Sequence, residues 1–292
     1  MIKQMAQQIY DEIFPSIAQK KLSLFLVGAG PSDHNSIREK IRKMLVPYNS
    51  IIETYYPEDI FDELIQHKNH FDLLSLENLL AESVHSVIMI LESPGAIAEL
   101  GAFSNHSILK NKLIVIIDQK FKKHKSFIML GPIRYLKKHT SSIVLFHDFK
   151  KPDIQALFVP IIKGIQKISK HISIDLKVTN PITAQYYVLT AIYLLEPVSK
   201  EEIIEMIGIT GSLPPNEANI IAHASLSILH KRKEVSVKKN LYHLTQVGLQ
   251  RFNSYIPAHF NLRLNKGKNI RRELDLLRIE ALNKKLRREK RA

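Results

Sequence analysis

The sharpest group of chemically able residues is the run Glu92-Ser93-Pro94-Gly95-Ala96-Ile97-Ala98-Glu99. Ser93 has the type of a helix N-cap and Pro94 that of a first helical residue, so the N–H groups that follow can receive an anion. Glu99 comes less than two turns into that helix. Ala96 at i−3 and Phe103 at i+4 set its carboxylate beside an apolar stripe instead of within a polar face. A carboxylate fixed there, at the mouth of a sheet, is placed to attack a sugar anomeric carbon or to stabilise a developing oxocarbenium ion. The plainer alternative is a solvent-facing glutamate that favours the helix dipole. Gly101 and Ala102 would let this helix lie close on a sheet.

Other motifs carry less. Gly28-Ala29-Gly30-Pro31 is not a full GxGxxG fingerprint and lacks a P-loop lysine. Gly28 and Gly30 either admit a ribose or phosphate close to the backbone or serve a tight strand-to-helix turn. Glu58 and Asp59 either bind ribose hydroxyls or are the ordinary first-turn acids of a helix. Glu77 and Glu82 read as helix-surface or structural residues. His67 and His70 are three apart, but no HExxH or paired His/Asp cluster accompanies the thirteen histidines, so no metal site is expected. No Ser–His–Asp order stands out.

Positioning Glu99 requires strand ends. Leu22–Val27, Ile51–Tyr55, Ser86–Leu91, Lys112–Asp118 and Ile143–His147 read as five strands. Helical spacing over Ser36–Leu45, from Pro57, over Leu73–Val84 and from Ala96 to Leu109 supplies crossovers. That alternation predicts an α/β fold with a doubly wound, Rossmann-like parallel five-stranded sheet and ligands at the carboxyl ends of its strands. Past residue 180 the pattern changes to helices at Ala184–Leu195, Ser199–Ile207 and Glu217–His230. A hairpin over Val235–Val237 and Leu241–Leu244 and a helix capped by Thr245 follow, the order of a winged helix-turn-helix domain. The expected division is residues 1–178, 179–256 and a basic helix or tail over 257–292.

The 292 residues carry a formal charge of +14, no cysteine and a 45% hydrophobic content, which excludes disulfide frameworks, Cys-ligated metals and thiol catalysis. No apolar run approaches the roughly 18 residues of a membrane span. Asp11 and Glu12 interrupt the place of a signal-peptide core, so a cytoplasmic chain without a membrane partner is expected. Residues 230–292 hold 18 Lys/Arg against 5 Asp/Glu, and residues 1–229 hold 24 against 23. The excess predicts a polyanion contact at the C-terminal end. Glu217–His230 is the candidate recognition helix, and Lys231, Arg232, Lys233, Lys238 and Lys239 are candidate phosphate contacts. Arg271, Arg272, Arg278, Arg287, Arg288 and Arg291 add further basic residues, against the alternative of a solvated basic helix.

Residues 24–105 resemble the nucleoside 2-deoxyribosyltransferase-like fold, in which a glutamate on the helix after the third strand is the nucleophile; Glu99 matches that place. Tyr56-Pro57-Glu58-Asp59, Leu73-Leu74-Ser75-Leu76-Glu77-Asn78, Glu92-Ser93-Pro94-Gly95, Glu99-Leu100-Gly101-Ala102-Phe103-Ser104-Asn105 and Lys120-Phe121-Lys122 with Ser126-Phe127-Ile128, Gly131-Pro132 and Arg134 resemble the effector subunits of type II-A retrons. Those join a deoxyribosyltransferase-like domain to a winged-helix DNA-binding domain. The resemblance implies an anti-phage toxin that cleaves the N-glycosidic bond of a nucleotide, such as NAD, as substrate rather than cofactor, with water as acceptor. It implies restraint by the retron reverse transcriptase and its multicopy single-stranded DNA. The metabolic transferases carry an aspartate where Ser93 stands beside Glu92. A serine suits a phosphate oxygen, so Glu92, Ser93, Pro94 and Gly95 are expected around the substrate. Two other classes compete: a winged-helix regulator that senses a nucleotide without turnover, and a metabolic deoxyribosyltransferase.

Overall fold

The computed structural model describes residues 2–18, 21–30, 36–48, 52–58, 60, 73–151, 153–171, 176–255 and 270–289. The chain forms two compact units, one made of residues 21–61 and 69–174, the other of residues 1–20, 62–68 and 175–292. The first twenty residues therefore leave the expected 1–178 domain. Helices α1 (Ile2–Gln8) and α2 (Phe14–Ala18), joined by a π-helical turn, bury Met5, Ile9, Ile13, Phe14 and Ile17 in the core of the second unit.

The first unit is a parallel sheet in the order β2-β1-β3-β4-β5, formed by β1 (Leu22–Val27), β2 (Ile52–Tyr55), β3 (Ser86–Ile90), β4 (Leu113–Asp118) and β5 (Ile143–His147). All five expected strands are present. The chain steps from β1 out to β2 and returns to β3 on the other side of β1, so β1 and β3 flank the switch point where such sheets leave a crevice. Strands β3 and β4 are buried along their whole length, which is why they read as unbroken apolar runs instead of alternating ones. Leu24, Leu26, Ile88, Ile90, Ile114 and Ile116 line one face under α3 (Ile37–Leu45).

Helix α4 (Leu73–Glu82) precedes β3, α5 (Pro94–Asn105) follows it, α6 (Arg134–His139) precedes β5, and α7 (Phe158–Ser169) follows β5. The glycine that brings a helix close to the sheet is Gly164 of α7, where an added Cβ would meet Ile114 at 3.0 Å. An added Cβ on Gly101 of α5 would meet nothing within 4 Å. The expected close packing through Gly101 is corrected accordingly: the residue is exposed.

The second unit is built on α8 (Pro181–Leu195), whose fifteen residues are all buried. Asn180 caps it by accepting from Ile182 N and Thr183 N. After β6 (Val198–Ser199), α9 (Lys200–Gly211) opens with a capping box between Ser199 and Glu202. Helix α10 (Pro215–Lys231) follows, then the hairpin β7 (Val235–Lys238) and β8 (Leu241–Leu244), α11 (Gln246–Tyr255) and α12 (Ile270–Glu289). Lys239 and Asn240 turn the hairpin at φ 51° and 62°, the left-handed pair of a type I′ turn. Leu274, Leu277 and Ala281 of α12 enter the core of this unit. Spaced i, i+3 and i+7, they form the apolar stripe that anchors an otherwise charged helix. Each fully buried Leu is worth about 1.5–3 kcal/mol, so the expected tail is a docked element. Among the described residues, no helix is long and apolar enough to cross a membrane.

The joint between the hairpin and α11 is tight. Thr245 Oγ1 donates to Lys233 O at 2.6 Å and accepts from Gly248 N at 3.0 Å, and a Cβ on Gly248 would overlap the Glu234 carbonyl. Gly248→Ala is therefore expected to destabilise the second unit by about 1–3 kcal/mol or more, the cost of overpacking. Denaturant unfolding followed by circular dichroism measures it, and an unchanged midpoint would show that the joint yields.

Candidate active site

The carboxyl ends of β1 and β3 are held by one side chain. Glu92, two residues past β3, accepts from Ile37 N at 2.9 Å through Oε2 and from Arg38 N at 3.2 Å and Ala29 N at 3.3 Å through Oε1. A carboxylate thus fills the N-terminus of α3, where the unpaired N–H groups and the helix dipole favour an anion. Ser36 completes the cap by accepting from Glu39 N. Glu92, expected to touch substrate, is consequently a brace with both oxygens engaged.

Gly28 serves the same brace. A Cβ there would stand 3.1 Å from Glu92 Oε1 and 3.2 Å from Arg38 Cβ, so the close approach that requires glycine is internal. Gly30 is exposed and open, with nothing within 4 Å of an added Cβ. Pro31 and the residues to 35 lie outside the described residues.

Ser93 caps α5. Its Oγ accepts from Ala96 N at 3.2 Å and makes a long contact, 3.4 Å, to Gly28 O, so the hydroxyl expected to face a phosphate is committed to the two loops. Pro94 has no N–H and Ala96 N is taken, which leaves the Gly95 N–H as the first-turn donor still open to an anion. Pro94 and Gly95 are both exposed.

Glu99 is half-buried, flanked along α5 by buried Ala96, Leu100 and Phe103. Its Oε2 is buried without a hydrogen-bond partner among the described residues. Burial, and next the charges of Glu77 and Glu58, push its pKa up to about 7, while Arg38 pulls the other way. Glu77, read as a helix-surface or structural residue, is 8% exposed, and burial followed by the Glu58 charge raises its pKa too. Glu82 does lie partly exposed, 3.1 Å from His106 Nε2. Asp59, His67 and His70 lie outside the described residues. Among the described residues no group of three or more potential metal ligands occurs.

Arg38 is the functional residue that sequence reasoning missed. Only 2% exposed, it holds Glu58 in a forked ion pair, Nη1 to Oε1 at 2.8 Å and to Oε2 at 3.2 Å, and its guanidinium stands 4.5 Å from the centre of the Tyr56 ring. Glu58 is thereby tied to an internal cation. The Tyr56 hydroxyl donates to Glu39 Oε2 at 2.7 Å, and the Arg42 guanidinium is the main reason the Glu39 pKa falls to about 2. Spacing carried the signal: Arg38 shares the face of Ile41 and Leu45 on α3, an apolar stripe where an arginine must have a partner. A separate polar cleft at the ends of β4 and β5, lined by Asp118, Gln119, Lys120, Asp148 and Lys150, contains none of this group.

Residues 34–243 match the family described as "STM3845 retron effector protein". The chain belongs to this family of retron effectors. It is 32% identical over 277 residues to an Escherichia coli protein named "Retron Ec86 putative ribosyltransferase/DNA-binding protein", covering 91% of the effector and 86% of that protein. A second Escherichia coli protein, "Retron Ec73 putative ribosyltransferase/DNA-binding protein", is 26% identical over 245 residues, 76% and 77% of the two chains.

In the effector's second unit, residues 220–229 of α10 are all buried, with Ser225 Oγ donating to Pro181 O, while Asn216, Glu217, His230 and Lys231 at its two ends are exposed. Arg232 is half-buried, with Nη1 3.3 Å from Gln185 Oε1. Arg278 lies 3.2 Å from Glu196 and 4.5 Å from the Tyr193 ring centre, so it helps dock α12. Lys231, Lys233, Lys238 and Lys239 are exposed. Arg272 is exposed on α12, while the side chains of Arg271, Arg287, Arg288 and Arg291 lie outside the described residues.

The brace makes a direct prediction. Glu92→Ala should lower stability by about 1–3 kcal/mol, because it strips an acceptor from part-buried N–H groups, and Glu92→Gln should recover part of that loss. Thermal melting of the three proteins decides: equal melting temperatures for the alanine variant and the parent would remove the bracing role.

Proposed function

We propose that this retron effector is a defence toxin whose first unit cleaves the N-glycosidic bond of a nucleotide such as NAD, with Glu99 as nucleophile. The unpartnered, half-buried Glu99 carboxylate at the switch point of the sheet carries this reading. A carboxylate without internal hydrogen bonds is free to bond to carbon. Its oxygen attacks C1′, the C–N bond breaks, and the bond's electron pair leaves with the base or nicotinamide. Water then adds at C1′, expelling Glu99 and losing a proton. Glu77, drawn toward neutrality by burial, is suited to exchange that proton. The open Gly95 N–H and the exposed first turn of α5 would take a substrate phosphate. Gly30 lies open to a sugar, whereas Gly28, Glu58, Glu92 and Ser93 act from behind by shaping the loops. The word ribosyltransferase in both relatives' names supports glycosyl-transfer chemistry.

The second unit reads as a winged helix-turn-helix domain that docks on the retron reverse transcriptase and its multicopy single-stranded DNA, holding the toxin inactive. The relatives' names support DNA binding. With residues 220–229 of α10 buried, contact through Lys231, Lys233, Lys238 and Lys239 would reach phosphates and give little base readout.

Glu99→Gln should keep the melting temperature and nucleic-acid binding of the parent while losing base or nicotinamide release by about 10³-fold or more. Product release from a panel of nucleotides, NAD and deoxynucleosides, resolved by mass, tests this; release at the parental rate ends the assignment.

An ionised nucleophile also fixes the pH profile. With the Glu99 pKa near 7, kcat/KM should rise as pH increases through about 7 and then level. Glu77→Gln removes a negative neighbour, so it should move that limb to lower pH. A limb that stays in place in this variant would separate the two carboxylates.

A further inference from the structure

The Glu99 group leaves unused one motif of the first unit, the segment between β4 and β5. Residues 119–139 contain seven Lys/Arg and no Asp or Glu. Residues 119–127 are exposed without interruption, and Arg134, Lys137 and Lys138 are exposed beyond them. Lys120 is held 3.0 Å from Asp118. Otherwise the stretch supplies no acid of its own to balance its lysines.

Aromatic faces stand among these charges. Phe127 is 84% exposed, with Phe121, Leu130 and Tyr135 exposed on the same segment. The Phe127 ring lies over Gly131, where an added Cβ would come within 3.6 Å of it, which leaves most of the ring in water. The Lys122 and Lys137 ammonium groups lie 5.5 Å and 5.8 Å from the Phe146 ring, and that of Lys120 lies 4.8 Å from the Phe121 ring. Rings and cations therefore form one surface, and a single scattered hydrophobe does not describe it.

We infer that residues 119–139 bind single-stranded nucleic acid, with Lys122, Lys123, Lys125, Lys137 and Lys138 against phosphates and Phe127 stacked on an unpaired base. Backbone charge alone would serve any polyanion. The protruding phenyl narrows the choice, because a base offers its face to a protein only where it is not stacked within a duplex. The π-helical turn at Met129–Ile133 packs against α5, so a strand seated here runs beside the helix that carries Glu99. This binding is independent of the glycosidic chemistry and stands or falls without it.

The test uses the full chain and a labelled oligothymidine of about 20 nucleotides, beside a duplex of equal length and polyglutamate. Phe127→Ala should weaken single-strand binding by about 5- to 100-fold, leave duplex binding nearly unchanged and keep the melting temperature, since the ring is exposed. Combining Lys122→Ala, Lys123→Ala and Lys125→Ala should flatten the slope of log K against log salt by about 2. An oligonucleotide carrying 5-iodouracil should cross-link within residues 119–139, mapped by mass spectrometry. Parental affinity in Phe127→Ala, or cross-links confined to the second unit, would overturn the inference. Polyglutamate bound as tightly as oligothymidine would overturn it too, in favour of an acidic protein partner.

Discussion

Three backbone N–H groups, from Ala29, Ile37 and Arg38, converge on the carboxylate of Glu92, and the geometry of the crevice depends on that convergence. A parallel sheet leaves its loops free at the switch point, since the chain departs from β1 and β3 toward opposite edges. An internal anion at the start of α3 ties the two loops at fixed separation and satisfies the helix end without an external ligand. The tie explains its neighbours. A Cβ on Gly28 would crowd the carboxylate and the Arg38 side chain, so glycine gives the brace its room. Ser93, next in sequence, can then cap α5 and set the position of Glu99 one and a half turns on.

Arg38 links the brace to the charges. Its N–H binds Glu92 and its guanidinium binds Glu58, so anchoring α3 also delivers a buried cation to the carboxylates. That cation pairs with Glu58 and lowers the pKa of Glu99. Because Arg38 is committed to Glu58, Glu99 bears the cost of burial and of two like charges with little compensation. A site shaped only for stability would neutralise that carboxylate or replace it. The Glu99 carboxylate, beside an unfilled hydrogen-bond position among the described residues, is a local conflict of the kind that the proposed chemistry would use.

The five strands and the cap at Ser93 were legible in the sequence, because buried parallel strands are apolar runs and a capped helix start has local chemistry. The partial burial of Glu99 was legible because the residue interrupts an apolar stripe. Arg38 beside Ile41 and Leu45, and Glu77 beside Leu80, Ala81 and Val84, interrupt stripes in the same way. Arg38 draws no notice in the sequence, and Glu77 reads there as a helix-surface or structural residue, because their partners are far away along the chain. Glu92 misled for a related reason: only the fold reveals that residues 29, 37 and 38 consume its lone pairs. Helix α10 reads as a recognition helix from its place in the order of helices and hairpin, which says nothing about which of its residues are buried. Ser225 and Ser227 are buried within it, small polar side chains that a close helix packing admits.

Net charge was the least transferable clue. The C-terminal excess includes Arg232 and Arg278, which spend their guanidinium groups on Gln185, Glu196 and the Tyr193 ring. The near-neutral sum over residues 1–229 conceals seven basic residues within 119–139, where no acid lies and where Lys120 is paired with a neighbouring aspartate, Asp118. Screening makes the difference physical: at physiological salt a polyanion feels charges within about 8 Å, a patch of roughly one loop and one helix face. Acids elsewhere in the same half of the chain lower the sum without weakening the patch. Charge is therefore better summed over segments that share a face, with packed arginines left out, and on that measure the first unit carries an exposed basic patch as well as the second.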